Sequence, residues 1–90
     1  HKGTIANAYS ILNGEYEIIE AEIIEASDLI NKELRNSNLP DEIRVGAILR
    51  SEEVIIPRSN FIFKKEDIVI LLVKKDFLHV VENMFRMSSI

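Results

Sequence analysis

Three arginines are the strongest candidates for binding chemistry in this sequence of 90 residues. Arg44 and Arg50 fall on the same face of one predicted strand by simple alternation, and Arg58 follows Pro57 at the end of the next strand. Guanidinium groups gathered at strand ends can bind a phosphate or a carboxylate through parallel hydrogen bonds. They can equally be solvated, or pair with the acids of the intervening turn, so both interpretations stay open.

The residues needed for catalysis are scarce. There is no cysteine, and the sequence has two histidines, of which His1 is terminal. His79 falls on the polar face of a predicted helix, with no acid or nucleophile at a recognisable spacing. The three glycines stand singly, so no phosphate-binding loop is present. We therefore predict no catalytic residue and no enzymatic activity.

Alternating acids could indicate a divalent-cation site, because hard cations need several converging oxygen ligands. These acids divide between the two faces of a predicted strand, however, and no second acidic cluster accompanies them. Solvated strand edges that discourage aggregation explain them better, so we predict no metal site. The acids are Glu15, Glu17, Glu20, Glu22 and Glu25.

Composition excludes several classes of protein. A net charge of −4 argues against a nucleic-acid surface, which needs clustered basic residues. The longest apolar run, residues 68–73, is far shorter than the ~20 residues of a membrane helix. The lack of cysteine fits a reducing compartment. Because the sequence begins at His1 without a methionine or signal peptide, we expect a fragment of a longer chain.

A hairpin opens the predicted fold. Asn13-Gly14 lies between two extended runs, and this pair favours a type I′ turn. Such a turn places Ile11 opposite Tyr16 and Tyr9 opposite Ile18, with all four on one face. The other face is apolar too, which indicates cover on both sides and hence a partner.

The remaining elements are a helix, three strands and a second helix. Ser27 is a predicted N-cap for a helix over residues 28–35. Strands follow at 43–50, at 54–56 before Pro57, and at 68–73, whose continuous apolar run indicates a central strand covered on both faces. Asp76 caps the final helix. The prediction is an α+β domain of order β-β-α-β-β-β-α, with a mainly antiparallel sheet and two helices.

Three segments in this order resemble the TrkA C-terminal (RCK_C) domain family. They are IRVGAILR at 43–50, VIIPR at 54–58 and DIVILLV at 67–73. The closing VENMFR at 81–86 resembles the family's V-E-x-L-F-R ending, and YSILNGE at 9–15 resembles the hairpin that precedes the last such domain. The sequence departs from the family at Ser59-Asn60 and at Lys65-Glu66, where Gly-Asp and Pro-Gly are usual.

The resemblance implies a regulatory role in potassium uptake. Members are cytoplasmic subunits on the inner face of a membrane potassium channel, and their upstream domains bind NAD(H) or ATP. Those domains are absent here, so no cofactor is expected in this chain. The C-terminal domains pair as homodimers or larger assemblies, and in some relatives a small effector such as cyclic di-AMP lies between two of them.

These implications give the following expectations. Residues 1–14 form a leading hairpin segment, 15–87 the RCK_C-like domain and 88–90 a frayed tail. The domain dimerises and helps to gate the transporter, without inserting into the membrane or binding nucleic acid. The alternative is a sensor that binds an anionic effector at a dimer cleft formed by Arg44, Arg50, Pro57 and Arg58. The predicted dimer interface consists of Gly46, Ile48, Val54 and Ile56.

Overall fold

A computed structural model describes residues 5–86, with side chains from residue 8 onward. Within this range the chain forms five strands and one α-helix, which confirms the predicted α+β class. The predicted frayed tail at 88–90 lies outside the described residues. The strands are β1 (Ile5–Ile11), β2 (Tyr16–Glu22), β3 (Ile43–Arg50), β4 (Glu53–Ile55) and β5 (Ile68–Lys74), and the helix is α1 (Leu78–Phe85).

All five strands join one antiparallel sheet in the order β1-β2-β5-β3-β4. The apolar strand β5 therefore occupies the centre, as its sequence predicts. It pairs with β2 along its whole length and with β3 on its other edge. This leaves β1 and the three-residue β4 as the two edges.

The β1–β2 hairpin has the predicted register. Tyr9 pairs with Ile18 and Ile11 pairs with Tyr16. Asn13 (φ 56°, ψ 35°) and Gly14 (φ 86°) are the central residues of the turn, and the Glu15 N–H donates to the Leu12 carbonyl across it. Asn and Gly enter the left-handed region at least cost, so this pair favours the turn, although Leu12 before it also adopts a positive φ of 51°.

The hydrophobic core lies on one side of the sheet, which we call the inner face. Buried side chains from the three strands β2, β3 and β5 and from α1 meet there with residues of the two long connections. These connections, residues 23–42 and 56–67, supply Leu29 and Phe63, both fully buried. The strand and helix contributors include Ile19, Ala21, Ile43, Ile48, Val69, Leu71, Val73, Val81 and Phe85.

The predicted first helix, over residues 28–35, is replaced by turns and a short 3-10 helix at Leu34–Asn36. Ser27 does accept a hydrogen bond from the backbone N–H of Leu29, as a cap would. Asn31 then enters the left-handed region at φ 60°, and its N–H donates to the carbonyl of Phe63. Because backbone groups from Asn31 to Leu34 bond to the 61–63 segment, they are not available for helical hydrogen bonds.

Helix α1 closes the inner side with the predicted orientation. Val81 and Phe85 are buried, whereas His79 and Asn83 are exposed. The helix ends at Arg86, whose backbone adopts the left-handed conformation of a C-cap (φ 55°). The Arg86 side chain forms a 3.1 Å ion pair with Asp28, joining the helix to the 23–42 connection.

Candidate functional site

The side of the sheet opposite α1, the outer face, is apolar and uncovered in the described part of the chain. Its centre is β5, where Leu72 is 37% exposed and pairs with Ile18 on β2. Tyr9 and Val54, on the two edge strands, are 57% and 67% exposed. By cross-strand pairing the outer face comprises Tyr9, Ile11, Tyr16, Ile18, Glu20, Glu22, Arg44, Ala47, Leu49, Val54, Ile68, Ile70, Leu72 and Lys74.

A β-bulge at Gly46 determines which residues of β3 face outward. The register shifts between Val45, which pairs with Leu71, and Ala47, which pairs with Ile70. Ile43 and Ile48 are both buried and paired with buried residues of β5, although an odd number of positions separates them. Only an extra residue between them permits this. A Cβ at Gly46 would lie 3.7 Å from the Ile70 carbonyl oxygen, an ordinary contact, so no close approach by a described residue requires this glycine.

The bulge changes the predicted interface at one residue. Ile48 is fully buried in the core of the single chain, so the prediction is wrong for this residue, which has no surface to offer a partner. Val54 lies on the outer face, and Ile56, which follows β4 and is 73% exposed, continues the same side by alternation. Gly46 is also exposed. Three of the four predicted residues therefore remain available at the outer face or its edge.

Arg50 is held by a buried carboxylate. Its Nε and Nη2 atoms donate to the two carboxylate oxygens of Asp67, both at 2.7 Å, and Nη2 also donates to the carbonyl of Ile62 at 2.9 Å. Asp67 is 1% exposed and accepts a further hydrogen bond from the Lys64 N–H. The guanidinium lies 4.8 Å from the centre of the Phe61 ring. We call this arrangement the Arg50–Asp67 clamp.

The clamp ties the 56–67 connection to β3. Hydrogen bonding to Asp67 raises the pKa of Arg50, against the opposing effect of burial, and keeps its charge in place. Phe61 in turn packs edge-to-face on the buried ring of Phe63, with centroids 5.4 Å apart. The ion pair thus continues into the hydrophobic core.

The predicted arginine cluster is not assembled on one face. Arg50 points to the inner side with Ile48, while Arg44 lies on the outer face opposite Leu72, because the bulge between them reverses the alternation. Arg44 is largely exposed and has a loose 3.9 Å contact with Asp41. Arg58 is exposed in the connection after β4, behind the half-buried Pro57. Arg44 and Arg58 therefore remain as cations free to meet a ligand.

A groove of about 570 Å³ lies between the hairpin tip and the start of β3. Its apolar walls include Ile11 and Leu72, and its cations are Arg44 and Lys74. Two acids, Asp41 and Glu42, also line it, so its charged side chains balance and do not select an anion.

The other kinds of site considered from the sequence are a metal site, a catalytic histidine and a membrane-spanning helix. Among residues 5–86 no three His, Cys, Asp or Glu side chains are grouped as a metal site would require. His79 is exposed on α1. No helix in the described range has the length and apolarity needed to cross a membrane. The outer face is accordingly the feature that requires a functional explanation.

Sequence reasoning missed the central residues of this face. Ile18, Ile70 and Leu72 were not among the predicted interface residues, although the continuous apolar run at 68–73 carried the signal. The partner of Arg50 was missed as well. Asp67 immediately precedes that run, where a buried acid gives no periodic pattern to detect.

Comparison with known proteins finds one family model and several relatives, and all of them are TrkA proteins or their C-terminal domain. The TrkA-C domain family model matches residues 18–86, from within β2 to the end of α1. A Trk system potassium uptake protein TrkA from Azorhizobium caulinodans is 36% identical over 97% of this chain. The protein of that name from Haemophilus influenzae is 32% identical over 98% of the chain, and a TrkA homolog from Archaeoglobus fulgidus is 31% identical over 71%.

The chain accounts for a small part of these relatives, namely 19% of the Azorhizobium protein, 20% of the Haemophilus protein and 15% of the Archaeoglobus protein. In the two longer alignments the match also takes in β1 and the hairpin turn, which lie before the start of the family match. The family model covers most of β2, the strands β3, β4 and β5, the clamp and the helix together. From this match and these identities, the chain belongs to the TrkA-C domain family.

Proposed function

We propose that this chain is a regulatory, non-catalytic domain of a potassium-uptake subunit, and that it acts by pairing with a second copy of itself through the outer face. In the complete subunit this pairing links neighbouring copies on the inner face of the membrane and transmits their state to the transporter. The names of the relatives, all of them potassium uptake proteins, support the transport role.

The observation that carries the pairing is the two-sidedness of β5. Val69, Leu71 and Val73 are fully buried on the inner face, while Ile68, Ile70 and Leu72 line the outer face. A strand that is apolar on both sides is typical of sheets covered on both sides. Among the described residues of a single chain, nothing covers the outer side of β5 in this way.

The dimensions of the face are suited to a second copy. Five strands spaced by about 4.8 Å, with rows of about 3.3 Å, give an area of roughly 20 Å by 20 Å. Packing two such faces buries roughly 1,000 Å² in total, near the lower bound for a specific interface. We therefore expect a reversible dimer, strengthened in the complete subunit by its other domains.

Sedimentation equilibrium of matched variants tests this proposal. Ile56→Asp places a charge at the edge of the outer face, directly after β4, and Ile62→Asp places the same charge at another exposed isoleucine in the 56–67 connection. We expect Ile56→Asp to weaken dimerisation at least about tenfold, whereas Ile62→Asp leaves it unchanged. Equal behaviour of the two variants, or a wild-type chain that stays monomeric at all concentrations, would contradict the pairing.

The same pair of variants tests the link to transport. Placed in the full-length subunit, Ile56→Asp should impair potassium uptake by cells that depend on it, and Ile62→Asp should not. Normal uptake with a demonstrably unpaired Ile56→Asp subunit would separate pairing from transport.

Effector binding remains the alternative function. Arg44 and Arg58 support it as exposed cations, and Pro57 lies beside Arg58, but Arg50 is engaged by Asp67. Titration with cyclic di-AMP and with ATP distinguishes the two functions. If either nucleotide induces pairing of a monomeric chain, and Arg58→Ala abolishes that response, this domain is a sensor. Pairing that ignores both nucleotides favours the regulatory scaffold.

A further inference from the structure

Two carboxylates interrupt the apolar outer face at one corner. Glu20 and Glu22 are half-buried on β2, where they pair in register with Ile70 and Ile68 of the central strand. Neither has a hydrogen-bond or ion-pair partner among the described residues. A carboxylate beside isoleucines loses hydration when a second apolar face covers it, unless a cation arrives with that face.

The cations of the outer face lie at the opposite corner. Arg44 pairs with Leu72 at the start of β3, and Lys74 ends β5. Arg44 is held only by its 3.9 Å contact with Asp41, in which both side chains are largely exposed. Such exposed ion pairs contribute little to the free energy of folding, so Arg44 is available to form a stronger ion pair with another partner.

The positions of Glu20 and Arg44 are related by the geometry of the sheet. Glu20 lies one strand to one side of Ile70, and Arg44 lies one strand to the other side of Leu72. The two are therefore roughly 12 Å apart and equally far from the point midway between Ile70 and Leu72. Consider a two-fold axis that lies in the plane of the face, passes through that midpoint and is perpendicular to the line from Glu20 to Arg44. Rotation about this axis exchanges the positions of Glu20 and Arg44.

We infer that the outer face is self-complementary: in the dimer, Glu20 of each copy meets Arg44 of the other, and Ile70 and Leu72 of both copies pack around the two-fold axis. This inference rests on the proposed pairing and adds its orientation. An isologous contact of this kind forms twice per dimer, so each charge change acts twice. Like-charged orientations of the same two faces are disfavoured, which selects one arrangement.

Charge reversal in single and mixed variants tests the orientation. Glu20→Arg alone sets two arginines against each other at both contacts, and Arg44→Glu alone sets two glutamates against each other. We expect each variant to dimerise at least about tenfold more weakly than the unmodified chain. An equimolar mixture of the two variants should form a heterodimer. At one contact the arginine introduced at position 20 meets the glutamate introduced at position 44, and at the other contact the native Glu20 and Arg44 still meet.

The double variant Glu20→Arg/Arg44→Glu should recover dimerisation, since it restores opposite charges at both contacts. Reversals away from the face, Lys32→Glu and Glu52→Arg at exposed positions outside the strands, serve as controls and should leave dimerisation unchanged. If Glu20→Arg does not fold, Glu20→Gln takes its place, and mixing it with Arg44→Glu should still relieve the repulsion. Native mass spectrometry counts the species, and sedimentation measures their affinities.

The outcomes separate this inference from the pairing itself. Weak single variants with strong heterodimers support the orientation. A dimer that the single reversals do not weaken, or a mixture with no preference for the heterodimer, overturns the orientation and leaves pairing in place. A chain that never self-associates overturns both, and would assign the outer face to another segment or subunit.

Discussion

The two faces of the sheet differ in how their apolar side chains are covered and how their charged side chains are paired. On the inner face, apolar side chains from strands, helix and both long connections are buried together, and the charged Arg50 is matched by Asp67. On the outer face, equally apolar strands meet nothing within the described residues, and the carboxylate of Glu20 has no partner there. The inner face stabilises the fold, while the outer face is available for another molecule.

This difference predicts that mutations on the two faces should be separable. Changes on the inner face should alter the free energy of unfolding, and changes on the outer face should alter association. All unfolding comparisons below apply at one low chain concentration, because pairing adds to apparent stability.

The largest expected effect is loss of an inner-face ring. Phe63 is fully buried and contacts Phe61, so Phe63→Ala should lower the free energy of unfolding by about 3–5 kcal/mol. Val54→Ala on the outer face, where the side chain is 67% exposed, should change it by less than about 0.5 kcal/mol. Urea denaturation of both variants measures the contrast, and similar losses would break the distinction between the faces.

The next largest effect concerns the clamp. Arg50→Ala leaves the carboxylate of Asp67 buried without its cation and should cost about 2–3 kcal/mol, somewhat below the value for a fully buried pair. Arg50→Lys should lower the free energy of unfolding by less than Arg50→Ala, since lysine retains the positive charge and loses only the bidentate contact with Asp67. Chemical denaturation of both variants provides the test. If Arg44→Ala on the outer face were equally destabilising, the clamp would have no special role.

The smallest effect compares two glycines. Gly14→Ala forces a side chain into φ +86° and should cost about 1 kcal/mol. Gly46→Ala should leave unfolding almost unchanged, because its Cβ meets only an ordinary 3.7 Å contact. The melting temperatures of the two variants, measured by thermal denaturation, distinguish these effects. A large cost at Gly46 would indicate that the bulge itself depends on glycine.

Much of this architecture can be predicted from local patterns. Asn13-Gly14 specifies the hairpin and its register, and the run at 68–73 specifies the central strand, since both signals depend on neighbouring residues. The fold class and family follow from such signals in order along the chain.

The remainder depends on contacts between distant segments. The bulge at Gly46 turns Ile48 inward and separates Arg44 from Arg50, yet strict alternation in the sequence places them together. The 28–35 helix is lost because Asn31 and Leu34 bond to the 61–63 segment, which no local propensity reveals. Of the interface residues predicted on and after β3, Val54 and Ile56 consequently lie on or next to a wider outer face centred on β5, whereas Ile48 lies in the core.

The most direct test of the account is hydroxyl-radical footprinting of the unmodified chain at concentrations below and above dimerisation. We expect Tyr9, Val54 and Leu72 on the outer face to lose reactivity on association. Phe61 and Met84 on the inner side should react equally at both concentrations. Protection of Phe61 and Met84, with Tyr9, Val54 and Leu72 unchanged, would contradict the assignment of the outer face as the pairing surface.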